Sequence, residues 1–417
     1  MTRLRAAVVV TGTELVRGDR TDLNGPFLAR ELHRLGLEAA RVTIVGDRAE
    51  ELRAALEEGL AADLLVVSGG LGPTHDDRTV ELLASVTSRA LGIRPELEAE
   101  IERSSRKIAE RLRRPYGEFS AGVRKQASLP EGADSLGLAG TAPGIVLDTG
   151  NCVVVALPGP PNELQRLWKS ALESFTVQRV VEQTRPPQRR VLRFFGLSES
   201  AVARVLEEAG GERSGAEATV CARDFEVHVD LVGESDALAG ALREQLGGYL
   251  FSEDERPVEE IVLDLCRGRG LKLAAAESCT GGLVGAMLTS VPGASDVFVG
   301  GVVAYSDEVK RDQLDVPDDV LERHGAVSAE AAAAMAAGAR ERLGADVAVS
   351  VTGIAGPGGG TAEKPVGLVY LRAEGPDDAF GVDFVVPGDR TLIRRRAAAW
   401  ALHLLRRLLT QSRDEVA

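Results

Sequence analysis

The sequence predicts an α/β protein of three domains: an N-terminal α/β domain, a small α+β module and a C-terminal α/β domain. Three observations carry this. Residues 1–170 alternate short β-rich runs with amphipathic helical patterns, as layered folds with a mostly parallel sheet do. Between Val191 and Ser252 the pattern changes to clustered strand-like runs, and from Pro257 the strand–helix alternation resumes. A chain of 417 residues suits two or three domains, and the boundaries are placed at 1–170, 171–255 and 256–417.

The elements follow in order. "AAVVVTG" is a buried strand. In "NGPFLARELHRLG", Leu28, Leu32 and Leu35 share one helical face, and Gly36 stops the helix. "RVTIVGD" is the next strand, "AEELRAALEEGL" a helix, and "DLLVVSGGLG" a strand entering a glycine turn. "NCVVVALPGPPNEL" repeats the design as strand, Pro/Gly-rich loop and helix. The proline pair and charges of "VEQTRPPQRR" suit a solvated linker. In the small module, "VLRFFGL", "ATVCARD" and "EVHVDLVG" are strand-like, with helical "SESAVARVLEEAG" and "SDALAGALREQLGG" between and after them. This is the element order of a KH-like domain, but no G-x-x-G loop with basic neighbours is present, so RNA binding is not expected. "SAEAAAAMAAGARERLG" is an alanine-rich packed helix with Ser328 as its N-cap, and "IRRRAAAWALHLLRRLL" closes the chain.

Composition narrows the function classes. Hydrophobic residues at 44% and charged residues at 27% suit a soluble globular chain with ample core. No apolar run approaches the ~20 residues that span a bilayer, and "MTRLRAAVVVTGTEL" reads as a first strand rather than a signal peptide. Cys152, Cys221, Cys266 and Cys279 have neither metal-ligand nor disulfide spacing, so reduced thiols and a cytoplasmic location, without membrane, are expected. A net charge of −14 disfavours direct nucleic-acid binding.

Two polar constellations stand out. In "SGGLGPTHDDRT", Gly69, Gly70 and Gly72 lie between a strand and a helix, where exposed N–H groups and the helix dipole favour an anion. Thr74 adds a hydroxyl, while Asp76 and Asp77 suit either a divalent cation against phosphate or a helix cap. "TGTELVRGDRTDLN" and "LPGPPNEL" are further polar loops at strand ends, where ligands of open α/β sheets bind.

In the C-terminal domain "AAAESCTGGLVGAM" puts Ser278, Cys279 and Thr280 after a strand. A serine nucleophile needs a base. Neither His324 nor His403 lies in a recognisable motif, and a packed or solvent-facing role suits His403 better. Lysine can replace histidine when burial or positive neighbours lower its pKa. "FVGGVVAYSDEVKRDQL" offers Tyr305 at a strand end and Lys310 about one helical turn later, although a solvated helix lysine fits that stretch as well. "DVAVSVTGIAGPGGGTAEKPVGLVYL" ends a buried strand in Thr352, Gly353 and Gly356, a loop suited to phosphate.

The pieces "GTEL…G…D.N", "VGD", "GGLGPTHDDRT", "GTAPG" and "LPGPPNEL" resemble the molybdopterin-binding (MoCF) fold in the N-terminal half of the CinA family of competence/damage-inducible proteins. That resemblance implies metal-dependent ADP-ribose hydrolysis. Glu14, Asp22, Asp76 and Asp77 become metal candidates, with Mg, Mn or Co as the ion, and Asn24, Gly69, Gly70, Gly72 and Thr74 become ligand candidates. "AAAESCTGG", "GGVVAYS…K", "VTGIAGPGGGT…KPVGLVY" and "PGDR…IRRRA" resemble the family's C-terminal domain, a nicotinamide-nucleotide amidohydrolase. The reaction implied, without cofactor, is nicotinamide mononucleotide plus water giving nicotinate mononucleotide and ammonia. Ser278 matches the nucleophile, and Lys310 and Tyr305 its activating partners. Amides from Cys279 to Gly281 suit an oxyanion, Thr280, Gly281, Gly282, Thr352, Gly353 and Gly356 suit substrate, and Cys279 reads as packing. Where the family pattern has "YSN", this chain has "YSD", placing Asp307 near the site. The resemblance also implies a homodimer. The rival expectation is an interaction protein for competence or DNA repair, with a recombination-type partner and one or both activities reduced.

Overall fold

The computed structural model describes residues 4–120 and 122–411, and the chain divides into two compact units, the first ending at Pro187 and the second beginning at Gln188. In the first unit, strands Glu38–Val45, Arg5–Thr11, Leu64–Ser68, Val153–Leu157, Pro143–Asp148 and Ala133–Leu138 lie side by side in that order. The first four are parallel and the last two antiparallel. Alternation along the central strands feeds two cores. Val8, Val10, Leu64 and Val66 pack with Leu28, Leu32 and Trp168, while Val9, Leu65 and Val67 pack with Leu52, Leu56 and Leu82. Strands buried on both faces read as continuous Val/Leu runs, which is why this sheet was visible in the sequence. Helix Phe175–Val181 contributes Val177 and Val180 to the first of these cores, so the unit runs past residue 170.

The second unit holds two sheets. The smaller has strands Glu217–Arg223, Glu226–Val232, Arg189–Phe195 and Leu250–Ser252, all antiparallel, with helices Glu199–Glu208 and Asp236–Leu246 over one apolar core. The α+β character is as expected. The short strand Leu250–Ser252, which the sequence reading did not separate, completes a βαββαβ split.

The larger sheet has the order Phe298–Val303, Leu273–Glu277, Val347–Gly353, Leu368–Glu374 and Ala379–Val385. Its first three strands are parallel, and the last two run antiparallel. Helices Val258–Arg269, Leu283–Thr289 and Arg390–Gln411 contribute to the core on one face, and Asp307–Leu314 and Ala329–Leu343 to that on the other. The alanine-rich helix fits closely because Gly338 lacks a Cβ, which would meet the Leu314 carbonyl oxygen at 1.8 Å. Among the described residues no helix is long and apolar enough to cross a membrane.

Candidate functional site

The C-terminal site follows from strand register. Glu277 ends the central strand with Val303 on one side and Val351 on the other. Ser278 and the turn Ala304–Ser306 therefore leave the sheet at the carboxyl edge where Thr352 and Gly353 end their strand, still paired with Tyr370 and Val369. Ser278 is 9% exposed and its N–H donates to the Val351 carbonyl at 2.8 Å. The preceding Glu277 is buried, and its carboxylate accepts from the amides of Gly282, Val284 and Gly285 at 3.0, 3.0 and 2.8 Å. These bonds satisfy the amino end of helix Leu283–Thr289 and hold the turn carrying Ser278. Positive φ at Gly281 (60°) and Gly282 (96°) explains the glycine pair in that turn. The Gly281 amide donates to the Ser278 carbonyl, whereas the Cys279 and Thr280 amides have no carbonyl acceptor among the described residues.

Lys310 is only 1% exposed, so the solvated-lysine reading fails at this position. Its ammonium donates to the Ser306 carbonyl at 3.4 Å and faces the Asp307 carboxylate at 3.5 Å. Tyr305 is exposed, and its hydroxyl accepts from Arg390 at 2.7 Å, while the same guanidinium donates to the Gly356 carbonyl at 2.8 Å. Arg394, one turn further along the closing helix, donates to the Cys279 carbonyl at 3.2 Å and the Thr280 carbonyl at 2.7 Å. Thr280 is wholly buried with no partner for its hydroxyl oxygen. Thr352 donates its hydroxyl to the Ala326 carbonyl at 2.6 Å. Gly353 lies so close to the next strand that a Cβ would meet the Leu368 carbonyl oxygen at 2.6 Å. Burial pushes the Cys279 thiol up to about 12, which makes it a neutral packing group. The sequence reading missed Glu277, Arg390 and Arg394. Their residue types stood in the quoted motifs, but no spacing rule connects them to Ser278.

In the first unit the glycine loop is held from several sides. Gly69 donates to the Leu157 carbonyl at 2.9 Å, and Thr79 returns its hydroxyl to the Gly69 carbonyl at 2.8 Å. A Cβ on Gly70 would meet the Thr79 hydroxyl at 2.3 Å, and one on Gly72 the Asp77 carboxylate at 2.4 Å. Thr74 donates its hydroxyl to both Asp76 and Asp77, and its amide to Asp77 at 2.9 Å. The Thr74 hydrogen bond holds the Asp76 carboxyl below its usual range. Lys125 donates to the Thr74 carbonyl. Gly70, Leu71, Gly72, Asp77, Lys125 and Gln126 help to line a cleft of about 260 Å³.

The other metal candidates are placed differently. Asp22 uses both oxygens on the amides of Asn24 and Gly25, at 2.8 to 3.1 Å, and so caps helix Asn24–Arg34. Glu14 sits on the one-turn helix Thr13–Val16. Asn24 is buried and donates to Ser68 and to the Gly159 carbonyl at 2.9 and 2.7 Å, tying two strand-end loops together. Asp47, which the sequence reading passed over, anchors Thr11 and Thr13 at 3.1 and 2.6 Å. Among the described residues no three His, Cys, Asp or Glu side chains stand together as a metal cage. The Asp76–Asp77 pair instead fits the mode in which Mg²⁺ keeps several waters and takes one or two carboxylates plus substrate phosphate.

The fold and these two strand-end sites define a chain in which a molybdopterin-binding type α/β unit precedes a CinA-type domain. Residues 7–177 match the probable molybdopterin binding domain, and residues 255–409 match the CinA C-terminal domain. The chain is 44% identical over 436 residues to a CinA-like protein of Mycolicibacterium paratuberculosis (strain ATCC BAA-968 / K-10), covering 98% of this chain and 99% of that one. It is 43% identical over 424 residues to a CinA-like protein of Mycobacterium tuberculosis (strain ATCC 25618 / H37Rv), covering 97% of each. A solved competence/damage inducible protein CihA from Agrobacterium tumefaciens is 41% identical, covers 38% of this chain and 99% of its own, and has a TM-score of 0.36. The chain belongs to the CinA-like proteins.

Proposed function

We propose that this chain is a pyridine-nucleotide salvage hydrolase that deamidates nicotinamide mononucleotide in its C-terminal domain. The supporting observation is that Ser278, buried Lys310 and two arginines of the closing helix belong to one sheet edge. Ser278 Oγ attacks the carboxamide carbon and passes its proton to the Lys310 amine. The Cys279 and Thr280 amides receive the oxyanion, and Arg394 fixes their turn through the carbonyls. Lys310 returns the proton as the C–N bond breaks and ammonia leaves. Water then attacks the ester, loses its proton to Lys310 and restores Ser278. Arg390, with the Thr352–Gly356 loop, suits the 5′-phosphate, since guanidinium matches phosphate geometry.

The first unit fits a second, divalent-ion-dependent activity on the pyrophosphate of ADP-ribose. Asp76 and Asp77 would hold the ion, which would neutralise phosphate charge there. The glycine-loop amides and Lys125 orient the phosphates. Edge strands Glu38–Val45 and Phe298–Val303 expose Val42, Ile44, Val299 and Val303, which suits a homodimer.

The test assays the full chain for ammonia release from nicotinamide mononucleotide, and for ADP-ribose cleavage with and without Mg²⁺, Mn²⁺ or Co²⁺. No ammonia above a Ser278→Ala control overturns the deamidase reading. Cleavage of ADP-ribose that persists in a chelator overturns the metal assignment.

A further inference from the structure

We infer that the hairpin tip Asp224–Phe225–Glu226 of the small module is a positioning clamp for the C-terminal site, acting through the closing helix Arg390–Gln411. Asp224 and Phe225 have consecutive positive φ values of 52° and 70°. Tight hairpins usually meet that demand with Asn-Gly or Asp-Gly. A bulky phenylalanine there is strained, and persists only where its surroundings over-determine it.

Those surroundings are the closing helix. The Phe225 ring meets Trp400 edge-on at 5.1 Å, and the Arg396 guanidinium lies over its face at 5.1 Å. Asp224 accepts from Arg395 Nε at 2.9 Å. The Glu226 carboxylate bonds His403 at 2.8 Å and His228 of its own strand at 2.6 Å. Three consecutive residues thus grip the helix at Arg395, Arg396, Trp400 and His403. Arg394, adjacent to that grip, holds the Cys279 and Thr280 carbonyls, and Arg390 reaches Tyr305 and Gly356. A hydrogen-bonded helix moves as a rod, so the angle set by the hairpin sets where both arginines fall. Loosening the grip frees the turn that carries Ser278. What that turn does chemically rests on the deamidase reading above; the mechanical coupling does not.

The experiment uses the full chain with Phe225→Gly, which relieves the positive-φ cost while removing the ring from the helix. Amide hydrogen exchange over residues 278–282 is measured beside ammonia release from nicotinamide mononucleotide. Exchange there should rise at least several-fold, and kcat should fall by roughly tenfold to a hundredfold, as small misplacements of reacting groups do. KM should change less than kcat, and Phe225→Tyr, which keeps the ring, should match the parent in both readouts. Should Phe225→Gly lose its circular dichroism signal, Asp224→Asn decides by the same exchange criterion. It keeps a residue tolerant of left-handed backbone and loses only the ion pair. Unchanged exchange at 278–282 in a folded variant overturns the clamp. Absent ammonia from the parent chain overturns the deamidase reading instead, and leaves the exchange result to decide the clamp.

Discussion

The Lys310 ammonium lies 3.5 Å from the Asp307 carboxylate, one helical turn before it. The contact holds the lysine at the start of its helix, where its ammonium also donates to the Ser306 carbonyl at 3.4 Å. Asp307 is 49% exposed at its side chain, so water screens much of the attraction. Asp307→Asn should therefore change steady-state ammonia release by no more than about fivefold, the range of an exposed ion pair. A larger fall in rate would mean that the carboxylate orients Lys310 for the reaction.

Ser278, rather than Cys279, should carry the chemistry. Both follow the same strand, but burial holds the Cys279 thiol in its neutral form, which is a poor nucleophile. Ser278→Ala and Lys310→Met should each lose on the order of 10⁴–10⁶ in kcat while staying folded. Cys279→Ala should keep most of its turnover and lose only about 1 kcal/mol of stability in denaturant titration. An active Ser278→Ala beside an inactive Cys279→Ala reverses the roles.

The two arginines of the closing helix should separate in kinetics. Arg390 is exposed between Tyr305 and Gly356, whereas Arg394 is committed to the turn after Ser278. Arg390→Ala should raise KM for nicotinamide mononucleotide by about tenfold with a smaller change in kcat, as loss of a charge-assisted phosphate contact does. Arg394→Ala should lower kcat more than it raises KM. The opposite split would exchange their assignments.

What the sequence disclosed follows from the range of the interactions. The central strands were legible because alternate residues are apolar on both faces, and the place of Ser278 just after a strand was legible from its motif, whereas the burial of Lys310 was not. Arg394 was not, because its partner carbonyl at Thr280 is 114 residues away. Glu277 was hidden inside a motif whose serine drew attention, although its bonds hold the turn. Asp22 shows the converse. An acidic residue two places before Asn24, at a helix start, is a capping signal, and the structure uses both of its oxygens in that way. The Asp224–Phe225 turn was invisible, because Phe at positive φ contradicts local preference and is held only by distant contacts.

In the first unit, Asp77 ties Thr74 through both amide and hydroxyl and also lines the cleft. Asp77→Ala should abolish divalent-ion-dependent cleavage of ADP-ribose and leave ammonia release unchanged, because Ser278 and Lys310 lie in the other unit. Gly70→Ala should fail by a different route. Its Cβ would collide with the Thr79 hydroxyl at a φ of 68°, so thermal stability should fall together with activity. Metal-dependent cleavage that survives Asp77→Ala would remove this carboxylate from the site.

Acid should loosen the junction between the small module and the closing helix. Burial lowers the His403 imidazole from 6.5 to about 4, against the pull of Glu226. Burial works to raise Glu226, but hydrogen bonds from His228 and His403 outweigh it and bring the carboxyl from 4.5 down to about 2. At neutral pH the pair is thus a carboxylate accepting from a neutral imidazole, whose ring stacks on Phe195 at 3.7 Å. As pH falls through 6.5 the unfolded chain binds a proton at His403 that the folded chain refuses until about 4, so stability is lost across that window. Below 4.5 the unfolded chain also protonates Glu226, and its contribution declines towards pH 2. The His403 part amounts to about 2 kcal/mol between pH 6.5 and 4.5, as an order of magnitude. It should appear in urea unfolding followed by Trp400 emission in a Trp168→Phe background. His403→Gln can still donate to Glu226 but does not titrate, so it should flatten the upper window and spare part of the lower one. An unchanged slope between pH 6.5 and 4.5 in that variant would show that some other group takes up the proton.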